Sequence, residues 1–235
     1  MKYLLPMLLL LFVVFSCDDE RGMALQFECA ETSMRDIDGN CYNTVKIGGQ
    51  TWMAENLKVT RYRNGDEIST DHSNDDWRNL STGAFSVYGD SETNTFTYGY
   101  LYNWYTVDDD RNICPEGWHV PTDNNWSVLT DYLGGINVAG GKMKSTGTID
   151  SGDGIWIAPN SYATDESGFT GLPGGYRIKY DGTYSNINKY GYFWSSTDFN
   201  NSNAWSRRLD YDMSSIYRGY FYYKNDGLSI RCVKD

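Results

Sequence analysis

Five cysteines carry most of the reactive potential of this 235-residue chain, and their positions separate two kinds of sulfur chemistry. Cys17 closes an apolar run over residues 4–16 that follows the positive Lys2 and is broken only by Pro6 and Ser16. Val14-Phe15-Ser16-Cys17 is similar to a bacterial lipobox, where the thiol is acylated and the preceding residues are cleaved away. The run is shorter than the ~20 apolar residues a membrane-spanning helix needs. Residues 1–16 therefore read as a lipoprotein signal peptide, and Cys17 as a lipid anchor. The other four, Cys29, Cys41, Cys114 and Cys232, would then meet an oxidising compartment and be expected as disulfides. Four cysteines allow three pairings. The favoured one joins Cys29 to Cys41 as a local clasp and Cys114 to Cys232 as a long closure, with the other two left open. Zinc is disfavoured, since there is no C-x-x-C or H-x-x-x-H and the two histidines, His72 and His119, stand apart. A reactive thiolate needs an unpaired cysteine in a positive setting, and this assignment leaves none.

The oxygen and nitrogen chemistry is less pointed. Carboxylates cluster at 71–76, 108–110 and 165–166. Acid–base pairs are defined by separations that a sequence does not show, and such clusters are expected to be solvated loops. There is no Gly-x-Ser-x-Gly. Gly134-Gly135 through Gly140-Gly141-Lys142 lacks P-loop spacing and has Met143 where Ser or Thr is needed. No catalytic residue, no metal site and no cofactor is expected. Calcium alone stays open, on oxygen donors at 150–154, 71–76, or Asp198, Asn200, Asn201 and Asn203, none in EF-hand spacing.

The remaining candidates are aromatic. Trp194, Trp205, Tyr211 and Tyr222 lie among Arg207 and Arg208, with Tyr217, Arg218, Tyr220, Phe221 and Tyr223 nearby. Strand alternation sends about half of such rings outward. Exposed rings beside guanidinium groups would suit a sugar face or a protein partner. The competing use is packing, because 20 Tyr, 8 Trp and 9 Phe must fill much of the core.

The elements that would position these residues are short. Many glycines (24) and few prolines (5) suit twisted strands joined by tight turns. Residues 42–47 alternate, Gly48-Gly49 turns the chain, and 50–53 returns as a hairpin. Residues 64–97 resist assignment, and 98–105 could be strand or short helix. One helix is expected over 121–133, with Thr122 as N-cap, a Trp126/Leu129/Leu133 stripe and Gly134-Gly135 as terminator. A weaker helical piece lies at 138–144. From Gly174 onward the pattern predicts a meander of strands at 176–180, 183–196, 204–211, 216–223 and 228–233, with a hairpin turn at 225–227. The divisions are signal 1–16, lipidated Cys17 and tether 17–35, and one domain over 36–235. The net charge of −11 argues against nucleic acid, because a phosphate binder needs a basic face.

Four blocks resemble the Fibrobacter succinogenes major paralogous domain family. They are Asp36-Ile37-Asp38-Gly39-Asn40 through Glu55-Asn56-Leu57, Cys114-Pro115-Glu116-Gly117-Trp118-His119-Val120-Pro121-Thr122 through Trp126, Leu172-Pro173-Gly174-Gly175-Tyr176-Arg177, and Tyr192-Phe193-Trp194-Ser195-Ser196 through Arg231-Cys232-Val233. The resemblance implies a secreted or lipid-anchored protein and a distant likeness to the C-type lectin-like fold. Within that fold, 119–126 and 228–233 also resemble short segments of formylglycine-generating enzymes. The family is found in Bacteroidota and Fibrobacterota, and Asp18-Asp19-Glu20 is similar to the acidic surface-export signals of lipoproteins in that lineage. The expectation is an α+β, C-type lectin-like domain with one main helix packed on twisted antiparallel sheets. It would stand on the cell surface, anchored in the outer membrane by its lipid, as a non-enzymatic binding or adhesion module for a glycan or protein ligand. A structural part of an envelope or fimbria-like assembly is the second reading, and a hydrolase or modifying enzyme the third.

Overall fold

The computed structural model describes residues 29, 30 and 33–235. The signal segment, Cys17 and most of the tether lie outside the described residues. Twelve strands and five α-helices are present among those described. The first half holds β1 (Ser33–Arg35), β2 (Cys41–Ile47), β3 (Gln50–Met53), α1 (Asn74–Arg78), β4 (Phe85–Ser86), α2 (Glu92–Tyr98), β5 (Leu101–Tyr102), α3 (Trp104–Val107) and β6 (Trp118–His119). The second half holds α4 (Asp123–Tyr132), α5 (Ala139–Met143), β7 (Gly174–Arg177), β8 (Tyr184–Ile187), β9 (Tyr190–Asp198), β10 (Ala204–Asp210), β11 (Ile216–Gly219) and β12 (Val233–Lys234). The class is α+β. One five-stranded sheet has the order β1-β2-β3-β12-β6 and a second has β11-β10-β9-β7-β8, while β4 and β5 pair alone.

The expected hairpin forms as β2–β3, in the register Val45↔Trp52 and Ile47↔Gln50. Its turn requires glycine: Gly48 has φ 59°, and a Cβ there would meet the Tyr132 ring at 2.8 Å. Strand pairing begins earlier than Asp36, because β1 already pairs with β2. The Cys29–Cys41 disulfide ties the preceding chain to the same edge, with Cα atoms 5.5 Å apart. Cys114–Cys232 is the second bridge, 118 residues apart in sequence and 6.0 Å between Cα atoms.

α4 is the expected helix. The Thr122 side chain accepts from the Asn125 amide, and the Asn125 side chain returns a bond to the Thr122 amide, a reciprocal cap. Trp126, Leu129 and Leu133 are buried, with Trp126 packed against Trp52, Phe169 and Phe193. α5 forms as well. Its glycines serve contact rather than helix propensity, since a Cβ on Gly140 would stand 2.1 Å from the Ser215 carbonyl oxygen.

The expected meander is corrected in four places. The stretch 183–196 is two strands, β8 and β9, parted by a turn at 188–189. β7 runs parallel to β9. β11 ends at Gly219, short of 223. The closing segment 228–233 leaves this sheet, and β12 pairs with β3 and β6 instead. On the way it is held between layers: Leu228 bonds Tyr102, Trp194 donates to the Ser229 carbonyl, Leu57 to that of Ile230, and Met53 to that of Cys232. Both of its faces are buried, including Ser229 and Arg231. Both residues have partners inside: Ser229 Oγ accepts from Asn56, and Arg231 donates to the same Asn56 side chain. Residues 225–227 accordingly do not join two ladder strands. Asp226 there accepts from the amides of Lys179 (2.7 Å) and Tyr223 (2.8 Å).

β9 divides two hydrophobic cores. Tyr192 and Trp194 face one, with Tyr42, Tyr102, Trp104, Leu228 and Ile230. Phe193 faces the other, with Trp52, Trp126, Trp156, Phe169 and Leu209.

Candidate binding surface

The sequence candidates divide among three environments. Trp194 belongs to the core: it is 0 % exposed and its indole N–H donates to the Tyr102 carbonyl at 2.8 Å. Arg207 is withdrawn too, at 1 % exposure. Its Nη1 donates to Asp123 Oδ1 at 2.8 Å, and Arg218 holds the other side of that carboxylate at 2.7 Å. Burial pushes the Asp123 carboxyl up, but bonds from Arg218 and Arg207 hold it below its ordinary value. Neither Trp194 nor Arg207 can present itself to a ligand. The reason is register: Arg207 lies opposite Phe193 on the α4 side of the sheet, and Trp194 faces the other core.

Arg208 and Tyr222 lie on the face opposite Arg207, Tyr211 packs at the edge of the α4-side core, and all three are half-buried. Arg208 forms a two-point ion pair with Asp210, at 2.6 and 2.8 Å, and lies over the rings of Tyr190 and Tyr217. Tyr222 packs against Tyr176 and Tyr192, and Tyr211 against Tyr190. These tyrosines are mostly spent on one another across strands.

Trp205 is half-buried too, but it sits in a separate aromatic cluster at the end of the β9–β10 ladder whose other rings are exposed. Phe199 stacks on Tyr220 with centroids 4.1 Å apart and planes 19° apart. Trp205 meets both edge-on at 5.3 Å. Phe221 lies 4.7 Å from Tyr220 and runs parallel to Tyr217 at 6.4 Å. The Arg218 guanidinium sits 3.7 Å from the Trp205 ring centre while its nitrogens remain on Asp123. Phe221 is 60 % exposed and Phe199 43 %. Sequence reasoning missed Phe199, whose neighbours look like a polar loop. The signal was its place beside the β9–β10 turn, across from the aromatic 217–223 segment.

Two of the asparagines weighed as calcium donors, Asn200 and Asn203, brace this cluster. Asn200 Oδ1 accepts from the amides of Ser202 (2.8 Å) and Asn203 (2.9 Å). Asn203 Nδ2 donates to the carbonyls of Phe221 and Tyr222. Asp198 lies 3.9 Å from Lys224 Nζ. Several of the clustered carboxylates have local partners: Asp76 with the Ser73 cap, Asp109 with Arg111, Asp153 with Ser151 and Asp165 with Thr170. The edge strands β1, β6, β8 and β11 are two to four residues long.

The arrangement can therefore offer apolar ring faces and edges to a ligand, with a fixed guanidinium beside them. A family model described as the Fibrobacter succinogenes major domain matches residues 45–234. No curated protein and no solved structure matches the chain.

Proposed function

We propose that this chain, which belongs to the Fibrobacter succinogenes major domain family, is a non-enzymatic binding module that takes a glycan on its exposed aromatic cluster. The observation that carries this reading is the grouping of Phe199, Trp205, Tyr217, Tyr220 and Phe221 in one outward patch beside Arg218. Aromatic side chains supply large contact area at low entropic cost, and a contiguous exposed apolar patch marks an interaction site more often than chance exposure. The C–H faces of a pyranose fit such rings, and its hydroxyls can accept from a guanidinium.

The fold is read as C-type lectin-like, which the return of β12 to the first hairpin supports. Acylation at Cys17 would hold the module at the envelope, and Asp18-Asp19-Glu20 would direct it to the outer face. Two disulfides are in keeping with an oxidising location. The second reading, a subunit that accepts a partner strand, would call for a longer open edge than the described residues provide.

The test is a glycan and protein array probed with residues 18–235, alongside Trp205→Ala and Phe221→Ala. The expected result is glycan binding that weakens about tenfold or more in each variant while circular dichroism is unchanged. Binding confined to proteins, or glycan binding indifferent to both substitutions, rejects the proposal. In the producing cell, Cys17→Ser is expected to shift the chain from the membrane to the soluble fraction.

A further inference from the structure

We propose that a cleft remote from the aromatic cluster is a second binding site, for a small organic cation such as a protonated amine. The cleft lies among residues 70–72, β4, the start of α2 and the end of β7, and its volume is about 420 Å³. Ligand pockets commonly span roughly 300–1,000 Å³. Its apolar wall is the Phe85–Tyr100 pair, with ring centres 4.6 Å apart, and Phe96 stands at the rim, 83 % exposed.

Three exposed carboxylates, Asp71, Asp90 and Glu92, share this lining. Asp90 accepts from the Tyr184 hydroxyl at 2.6 Å, and Asp71 and Glu92 have no hydrogen-bond or ion-pair partner among the described residues. The one Lys or Arg in the lining, Arg177, is 2 % exposed and already committed. It donates to the carbonyls of Gly182 and His72 and to Asn74 Oδ1, between the rings of Trp77 and Tyr184. The accessible charge of the cleft is therefore negative, and its walls are aromatic. That pairing attracts an organic cation through both carboxylates and ring faces.

Ser86 lines the cleft from below, with its Oγ beside the Tyr184 hydroxyl that donates to Asp90. The carboxylates are open to solvent rather than enclosed, which favours capture over acid–base chemistry.

The test is titration of residues 18–235, followed by NMR chemical shifts and calorimetry. The probes are tetramethylammonium, glucosamine, N-acetylglucosamine and glucose. Both cations are expected to bind, with shifts around Phe85 and Tyr100, and to weaken as salt is raised to about 0.5 M. The neutral sugars are expected to bind at least about tenfold more weakly at this site, and Asp71→Asn with Glu92→Gln to lower cation affinity by about tenfold or more. Trp205→Ala is expected to leave cation binding intact, which separates this site from the aromatic cluster. Equal shifts with N-acetylglucosamine, no shift with either cation, or unchanged affinity in the Asp71/Glu92 variant would overturn the proposal.

Discussion

Buried charges do structural work at the residue scale that their sequence context conceals. Arg231 is fully buried, and its guanidinium donates to Asn56 Oδ1 and to the carbonyls of Phe169 and Thr170, stitching three distant segments together. Lys144 does the same with Nζ bonds to the carbonyls of Ser161, Asp210 and Met213, while burial pulls its pKa down to about 8. Asp226 provides a measurable case. Burial pushes its carboxyl up to about 6, against the opposing bonds from two backbone amides. A folded pKa above the unfolded one means that the protonated form stabilises the fold. That contribution is complete below about pH 4 and is lost as pH rises through about 6. Urea denaturation of the wild type and Asp226→Asn across pH 4–7 is expected to show the difference. The wild type should lose roughly 1–3 kcal/mol relative to the variant over that interval. A parallel pair of curves would remove Asp226 from the pH dependence.

At the element scale, the parts that could be read from residue order are those stabilised by their own periodicity and ends. The β2–β3 hairpin follows from alternation plus Gly48, and α4 from its Thr122 cap and Trp126/Leu129 stripe. The cap predicts that Thr122→Ala lowers stability by about 1 kcal/mol, read as a shift in the urea midpoint with an unchanged slope. A loss below a few tenths of a kcal/mol would mean that packing alone holds the helix start. The segment 64–97 was illegible for the opposite reason. Its helices are five and seven residues long, and α1 buries only Trp77 while α2 buries only Tyr98. Helices of that length depend on tertiary contacts rather than propensity. The closing stretch 228–233 departs from the meander because its strand partners, β3 and β6, lie more than a hundred residues earlier in the chain.

Across the whole molecule, the two disulfides act on very different loop lengths. Cys114–Cys232 closes 118 residues and Cys29–Cys41 closes 12. In the chain-entropy view, the long bridge contributes about 4–5 kcal/mol and the short one about 3 kcal/mol. Thermal melts of Cys114→Ser/Cys232→Ser and Cys29→Ser/Cys41→Ser are expected to rank in that order. The reverse ranking would place the stabilisation in local geometry instead. The long bridge also joins the segment before β6 to the one entering β12, so it clamps the first sheet where the chain closes on itself.

Residue order alone determined the chemical classes on offer: cysteines able to pair, an acidic balance, and a dense aromatic stretch near the C-terminus. It also determined the elements whose signals lie within a few residues of each other. Which rings meet solvent was decided only by the tertiary structure. Alternation along a strand assigns side chains to two faces, but it does not say what covers each face. Here both faces of β9 are covered by separate cores, so Trp194 is enclosed, while Phe199 and Phe221 lie beyond the end of that cover with the half-buried Trp205 between them and the ladder. The cleft beside Phe85 and Tyr100 is non-local in the same sense, since it gathers side chains from four segments spread over more than a hundred positions.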